Sequence, residues 1–185
     1  MLAFGEKSHH LYFVYGADMN STQIALRCYN PMAVAVARLP NYRIGFYGQS
    51  SKWGGGEETF VEASGEDLWG VVYRLSFYDG ERLDRCHDVR LDGNGAYFLW
   101  PSEVTDGEGT SYPVLLYKRA LLGIQEPPTD AYLAHIVSGA ICNGLPADYV
   151  EQLRAIPTIP SEAGMPLNDP VQREISFGAA CGSCG

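Results

Sequence analysis

The chain reads as an α+β protein, a small mixed β-barrel with flanking helices. Six or seven short segments rich in apolar, β-branched and aromatic residues read as strands, the first of them stopped by Gly16. Helical stretches fall between them at unequal positions, without the regular alternation of a doubly wound parallel sheet. The 185 residues, 46% hydrophobic and 19% charged, suffice for one domain with a sizeable core and are too few for two.

Leu11-Tyr12-Phe13-Val14-Tyr15 has the character of a buried strand and ends at Gly16, which makes Tyr15 to Asn20 a strand-to-helix loop. Ser21 or Asn20 can cap a short helix running to about Arg27, before Pro31. Residues 32–39 and 42–47 read as strands around a Pro40-Asn41 turn, followed by the glycine-rich loop Trp53-Gly54-Gly55-Gly56. Further strands are expected near 58–63 and over 67–75, then a helix from Asp79 to Cys86 with Leu83 inward. Strands near 96–104 and 112–119 precede two helices, 131–140 and 146–156, joined at Asn143-Gly144-Leu145-Pro146. Residues 1–156 are read as the domain, and 157–185, with little periodicity, as an extended Pro/Gly-containing tail ending in CxxC.

The formal charge is −9, from 13 Lys+Arg against 22 Asp+Glu, and no basic patch forms that would neutralise several phosphates. Nucleic acid is not an expected partner. No apolar run approaches the roughly 20 residues of a membrane span, and MLAFGEKSHH lacks the regions of a secretory signal, so a cytoplasmic location is expected. Five cysteines, three of them widely spaced, do not form the framework of a disulfide scaffold, and reduced thiols are expected.

Short motifs recur in a recognisable order: Leu11 to Asp18, Ala37-Arg38-Leu39, Trp53-Gly54-Gly55, Leu68-Trp69-Gly70-Val71-Val72-Tyr73, Leu83-Asp84, and Asn143-Gly144-Leu145-Pro146 to Tyr149 with Leu153, Ala155 and Ile156. Over residues 11–156 the chain resembles the gamma-glutamylcyclotransferase family. The resemblance implies the small barrel and a reaction that cyclises a γ-glutamyl group to 5-oxoproline with release of an amine. Such a site needs a base near the substrate α-ammonium and donors where the oxyanion forms, and neither a metal nor an organic cofactor.

In the family the first loop, usually Tyr-Gly-Ser-Asn, supplies N–H groups to the substrate, and a glutamate after the Leu-Asp pair is the acid/base. Here the loop is Tyr15-Gly16-Ala17-Asp18 and the glutamate position falls on His87. A neutral imidazole can accept a proton near pH 7 but does not attract an ammonium as a carboxylate does. His87 is therefore the candidate catalytic residue, with a hydrogen-bonded wall residue as its alternative role. Asp84 or Asp88 would supply the carboxylate in a shifted alignment. Asp18 either presents a charge to the substrate or caps the helix near Ser21. Tyr97, Tyr117 and Tyr132 match aromatic positions in or near the family's pocket, although a tyrosine in a barrel is more often core with a satisfied hydroxyl than a ligand contact. Tyr15 to Asp18 with Tyr97 and Tyr132 form the candidate substrate-binding set, and Trp53 marks the pocket rim.

Cys181 and Cys184 lie outside the family pattern and suit thiol exchange or soft-metal binding, although two thiolates do not close a tetrahedral zinc site. His9-His10 read as a solvated arm that could add nitrogens. The alternative function is thus a noncatalytic metabolite-binding or thiol redox and sulfur-relay module using the tail. Expected partners are a small γ-glutamyl or related metabolite and, through the tail, a thiol partner; a homodimer is compatible with the sequence.

Overall fold

The computed structural model describes residues 9–162. At its centre β1 (His9–Val14), β2 (Met32–Tyr47), β3 (Glu57–Ser76), β4 (Tyr97–Asp106) and β5 (Ser111–Arg119) close a barrel in the order β1-β3-β2-β4-β5. Neighbouring strands are antiparallel except at the closure, where β1 runs parallel to β5 and pairs Tyr12 with Leu115. Around it lie α1 (Ser21–Arg27), α2 (Phe77–Cys86), α3 (Asp130–Cys142) and α4 (Ala147–Arg154). Phe13, Phe60, Leu68, Val71, Val72 and Leu116 fill the core from the strands, and Leu83, Ile136 and Leu153 join it from the helices. This is the mixed barrel with flanking helices.

The Pro40-Asn41 turn is corrected by the structure: β2 runs straight through it, and the expected strands at 58–63 and 67–75 are one strand, β3. Pro40 pairs with Asp67 and Tyr42 with Glu62, so Asn41 stands opposite an excursion of residues 63–66. Asn41 takes φ 65° and its Oδ1 accepts the Gly65 N–H at 3.0 Å. Proline has no N–H for the ladder, and it sits at the register break, where the ladder is interrupted. Such a bulge raises local twist, which helps the long β2–β3 ribbon to curl into a barrel.

Asn20 is the residue that caps α1, its Oδ1 accepting from the N–H groups of Thr22 and Gln23. Ser76 caps α2 by accepting from Asp79 N–H, and Thr129 caps α3 by accepting from Tyr132 N–H while its own hydroxyl donates to the Trp53 carbonyl at 3.0 Å. α3 lies directly on the chain that leaves β1: a Cβ on Gly139 would stand 2.6 Å from the Asn20 nitrogen. Asn143 Nδ2 donates to the Met19 carbonyl at 2.7 Å from the same helix end. Residues 157–162 continue past α4 and bind back, with Asp130 N–H donating to the Ile159 carbonyl at 2.9 Å and Ile159 N–H to the Pro128 carbonyl at 3.0 Å.

Candidate active site

β1 delivers the chain to one end of the barrel, where Tyr15 and Gly16 lead into a 3-10 turn over Ala17–Met19. Tyr15 is fixed by its hydroxyl, which donates to the Tyr117 carbonyl at 2.5 Å, and by Phe60, edge-on to its ring. The next two residues form a seat for a carboxylate that comes from β3. Ala17 N–H donates to Glu58 Oε2 at 2.8 Å. A Cβ on Gly16 would stand 2.1 Å from Glu58 Cδ, so this close approach requires glycine.

Beside this seat opens a cavity of about 230 Å³, walled by Ala17, Glu58, His87, Tyr97, Tyr132 and Trp53, with Arg27 and Lys52 as its cations. Trp53 stacks on Tyr132 with ring centres 4.9 Å apart and also touches His135. The Tyr97 hydroxyl donates to the Glu58 carbonyl at 2.5 Å, and Lys52 Nζ donates to the Cys86 carbonyl at 3.0 Å. The cavity thus combines an aromatic wall with both signs of charge.

Asp18 is turned away from the cavity into a buried network. Its Oδ1 accepts from Arg27 at 2.6 Å and from Gln23 Nε2 at 2.8 Å, and its Oδ2 faces His87 Nε2 at 2.8 Å. Burial alone would raise its pKa, but Arg27 and His87 outweigh that and hold it well below the usual carboxylate range. With Asp18 ionised, the His87 proton lies on Nε2 and points at it, leaving the lone pair on Nδ1. Burial pushes the His87 pKa down and Asp18 opposes this, while Arg27 and Lys52 add to the lowering; the net direction is down. The ring lies flat on Tyr117, 3.9 Å between centres, and Tyr117 donates its hydroxyl to Asp84 at 2.7 Å.

Glu58 shifts the other way. Its side chain is buried at 7% exposure, and desolvation followed by the charge of Asp18 raises its carboxyl from 4.5 to about 7. The Ala17 N–H, Tyr132 and Arg27 pull in the opposite direction without cancelling the rise. Two carboxylates close to one loop are therefore driven apart, Asp18 held toward the ionised form and Glu58 poised near neutrality.

The residues singled out from the sequence meet at this end of the barrel, with different contacts. Ala17, His87, Tyr97 and Tyr132 line the cavity, and Gly16 backs it through Glu58. Tyr15 and Tyr117 pack behind the wall. Asp18 does not cap α1, because Asn20 occupies that position and Asp18 is engaged by Arg27 and His87. Asp84 is held by Tyr117, and Asp88 is on the rim, accepting from Arg90 and from Ala96 N–H. His9 and His10 form the exposed start of β1. Cys181 and Cys184 lie outside the described residues. Sequence reading missed Glu58, because an acidic residue at a strand start reads as solvent-facing; the Glu57-Glu58 pair beside the glycine-rich loop was the available signal.

A closed barrel whose first strand-to-helix loop seats a carboxylate beside a mixed-charge, aromatic-walled cavity defines a class of small-molecule site, and the comparisons with known proteins narrow it. The AIG2-like family model matches residues 67–153. The gamma-glutamylcyclotransferase of Mus musculus is 34% identical over 179 residues, covering 91% of this chain and 88% of that protein; the Homo sapiens protein of the same name is 33% identical over 162 residues, covering 82% and 80%. A solved structure named gamma-glutamyl cyclotransferase is 28% identical and superposes with a TM-score of 0.77, covering 92% of this chain and all of that one. The chain belongs to the gamma-glutamylcyclotransferase family. No helix among the described residues is long and apolar enough to cross a membrane.

Proposed function

We propose that the protein cyclises the γ-glutamyl group of a small metabolite to 5-oxoproline, releasing an amine or amino acid. The observation that carries this reading is the carboxylate of Glu58 seated on the first-loop amide at the wall of a cavity just large enough for a small polar molecule. A γ-glutamyl compound carries an ammonium and an α-carboxylate on one carbon, and the cavity offers a carboxylate and a lysine to meet them. Glu58 faces the ammonium, Lys52 the α-carboxylate, and Trp53 with Tyr132 the methylene chain. Glu58, its carboxyl raised to about 7, is a wall group able to take a proton in the neutral range, and His87, lowered from the ordinary imidazole value by burial, presents a neutral ring beside it. Folding the chain back on itself brings the amine to its own γ-carbonyl, and holding it there removes most of the entropy barrier to ring closure.

The test is 5-oxoproline release from γ-glutamyl dipeptides, γ-glutamylamines and glutathione, with turnover expected on at least one of the three and silence on all of them refuting the reading. Lys52→Met should raise KM about tenfold or more with a smaller change in kcat, the pattern of a lost ground-state contact. The thiol-relay alternative is not favoured, since the similarity to cyclotransferases extends over most of the chain.

A further inference from the structure

We infer that Glu58, on β3, is the proton carrier of this site, and that His87, at the end of α2, is a positioning residue that holds Asp18. The inference rests on the cyclotransferase reading and deepens it. Three features of the geometry separate the two residues. Glu58 Oε2 is anchored on Ala17 N–H at 2.8 Å, with its carboxyl packed against Gly16, so it is fixed in the cavity wall and needs no conformational change to meet a ligand. His87 commits its one ring proton to Asp18 and its face to Tyr117, and an imidazolium there would stand beside Arg27 and Lys52. Glu58 offers a carboxylate to an incoming ammonium, whereas Glu57 and Asp88, which also line the cavity, are held by Arg119 and Arg90.

The surroundings of Glu58 fit the task. Asp18 from the turn raises its proton affinity and Arg27 from α1 lowers it, while Tyr15, Tyr97 from β4 and Tyr132 from α3 face it as neutral phenols and His87 closes the same wall. Glu57, next to it in β3, is neutralised by Arg119 of β5 at 2.7 Å. The result is a carboxylate poised near neutral pH, where a group that must both take and return a proton works best.

In the step itself the substrate α-ammonium gives one proton to the Glu58 carboxylate, and the freed amine attacks the γ-carbonyl carbon, forming the new C–N bond. The nitrogen loses its second proton to water as the tetrahedral centre forms. Glu58 then protonates the leaving nitrogen as the old C–N bond breaks, and the released amine takes up its remaining proton from water. Two protons leave the α-nitrogen and two reach the departing amine, so Glu58 ends as it began and nothing is oxidised or reduced.

The experiment compares wild type with Glu58→Gln, Glu58→Ala and His87→Gln on γ-glutamyl dipeptides, γ-glutamylamines and glutathione across pH 5–9. The expected result is a wild-type kcat/KM that rises with a limb near pH 7. Glu58→Gln should lower kcat by about 100-fold or more and abolish the limb, while His87→Gln stays within about tenfold and moves the limb instead. Added formate should restore at least about tenfold to Glu58→Ala, which a fold defect would not allow. Independently of turnover, one ¹³C-labelled glutamate carboxyl resonance should titrate near pH 7 and vanish in Glu58→Gln, so that a folded but silent variant is still informative. A wild type that turns over alongside a Glu58→Gln within about fivefold of it overturns the assignment and leaves the cyclotransferase reading standing. So does a resonance that titrates only in the usual carboxylate range. A wild type silent on every compound overturns both.

Discussion

Charging Glu58 works against folding. Its carboxyl, at about 7 in the folded chain against 4.5 ordinarily, makes ionisation cost about 3 kcal/mol relative to the unfolded state. The folded state binds this proton more tightly, so its contribution is greatest below about pH 4.5 and declines as pH rises to about 7. Glu58→Gln should therefore be more stable than wild type by about 2–3 kcal/mol in urea unfolding at pH 8, with the gap closing by pH 5. Asp18 has the opposite sign: its depressed pKa contributes stability above the ordinary carboxylate value, and that contribution is lost as the solution is acidified below it. Asp18→Asn breaks the buried Arg27–Asp18 ion pair, which should cost about 3–5 kcal/mol in the same assay at pH 7. In surviving folded protein, the loss of a neighbouring negative charge should also move the acid limb of kcat/KM to lower pH.

At the scale of elements, α3 is placed by the absence of a side chain. Alanine is a better helix former than glycine by about 1 kcal/mol, yet a Cβ at Gly139 would meet the backbone of Met19 and Asn20 within 3 Å. The clash outweighs the propensity: Gly139→Ala should lower stability by about 1–3 kcal/mol in thermal unfolding and, because the displaced segment is the turn that carries Ala17 and Asp18, reduce turnover as well. Helix starts were legible because their chemistry is local, as with Asn20 before α1 and the short apolar run of β1. The continuity of β2 and β3 was not, because Pro40-Asn41 has the composition of a turn, and only pairing with a partner 24 positions away, Asn41 to Gly65, turns it into a bulge. Glu58 was hidden for a related reason. Alternation along a strand indicates which residues share a face, but where β3 is covered on both sides Thr59 and Phe60 are buried along with Glu58. Only the approach of the turn after β1 identifies its carboxyl as part of a site.

Across the whole molecule, the six residues after 156 act as a strap. Ser161 and Ile159 both engage the start of α3, where Thr129 also holds the Trp53 loop, and the Ser161 hydroxyl contacts the Asp130 carboxylate. Ending the chain after Ile156 should therefore cost about 1–2 kcal/mol and loosen the aromatic wall, raising KM more than it lowers kcat; comparison with a chain ending after residue 162 checks this. Tyr15 reaches Tyr117 across 102 positions of sequence, and Tyr12 meets Leu115 only where the barrel closes. The loop that seats Glu58 thus hangs from the first strand, whose last neighbour is among the final strands to emerge during synthesis. A nascent chain has no pocket until β5 is made, so refolding should be slow for a protein of this length, and 5-oxoproline-forming capacity should return in step with the slowest phase rather than with early helix formation.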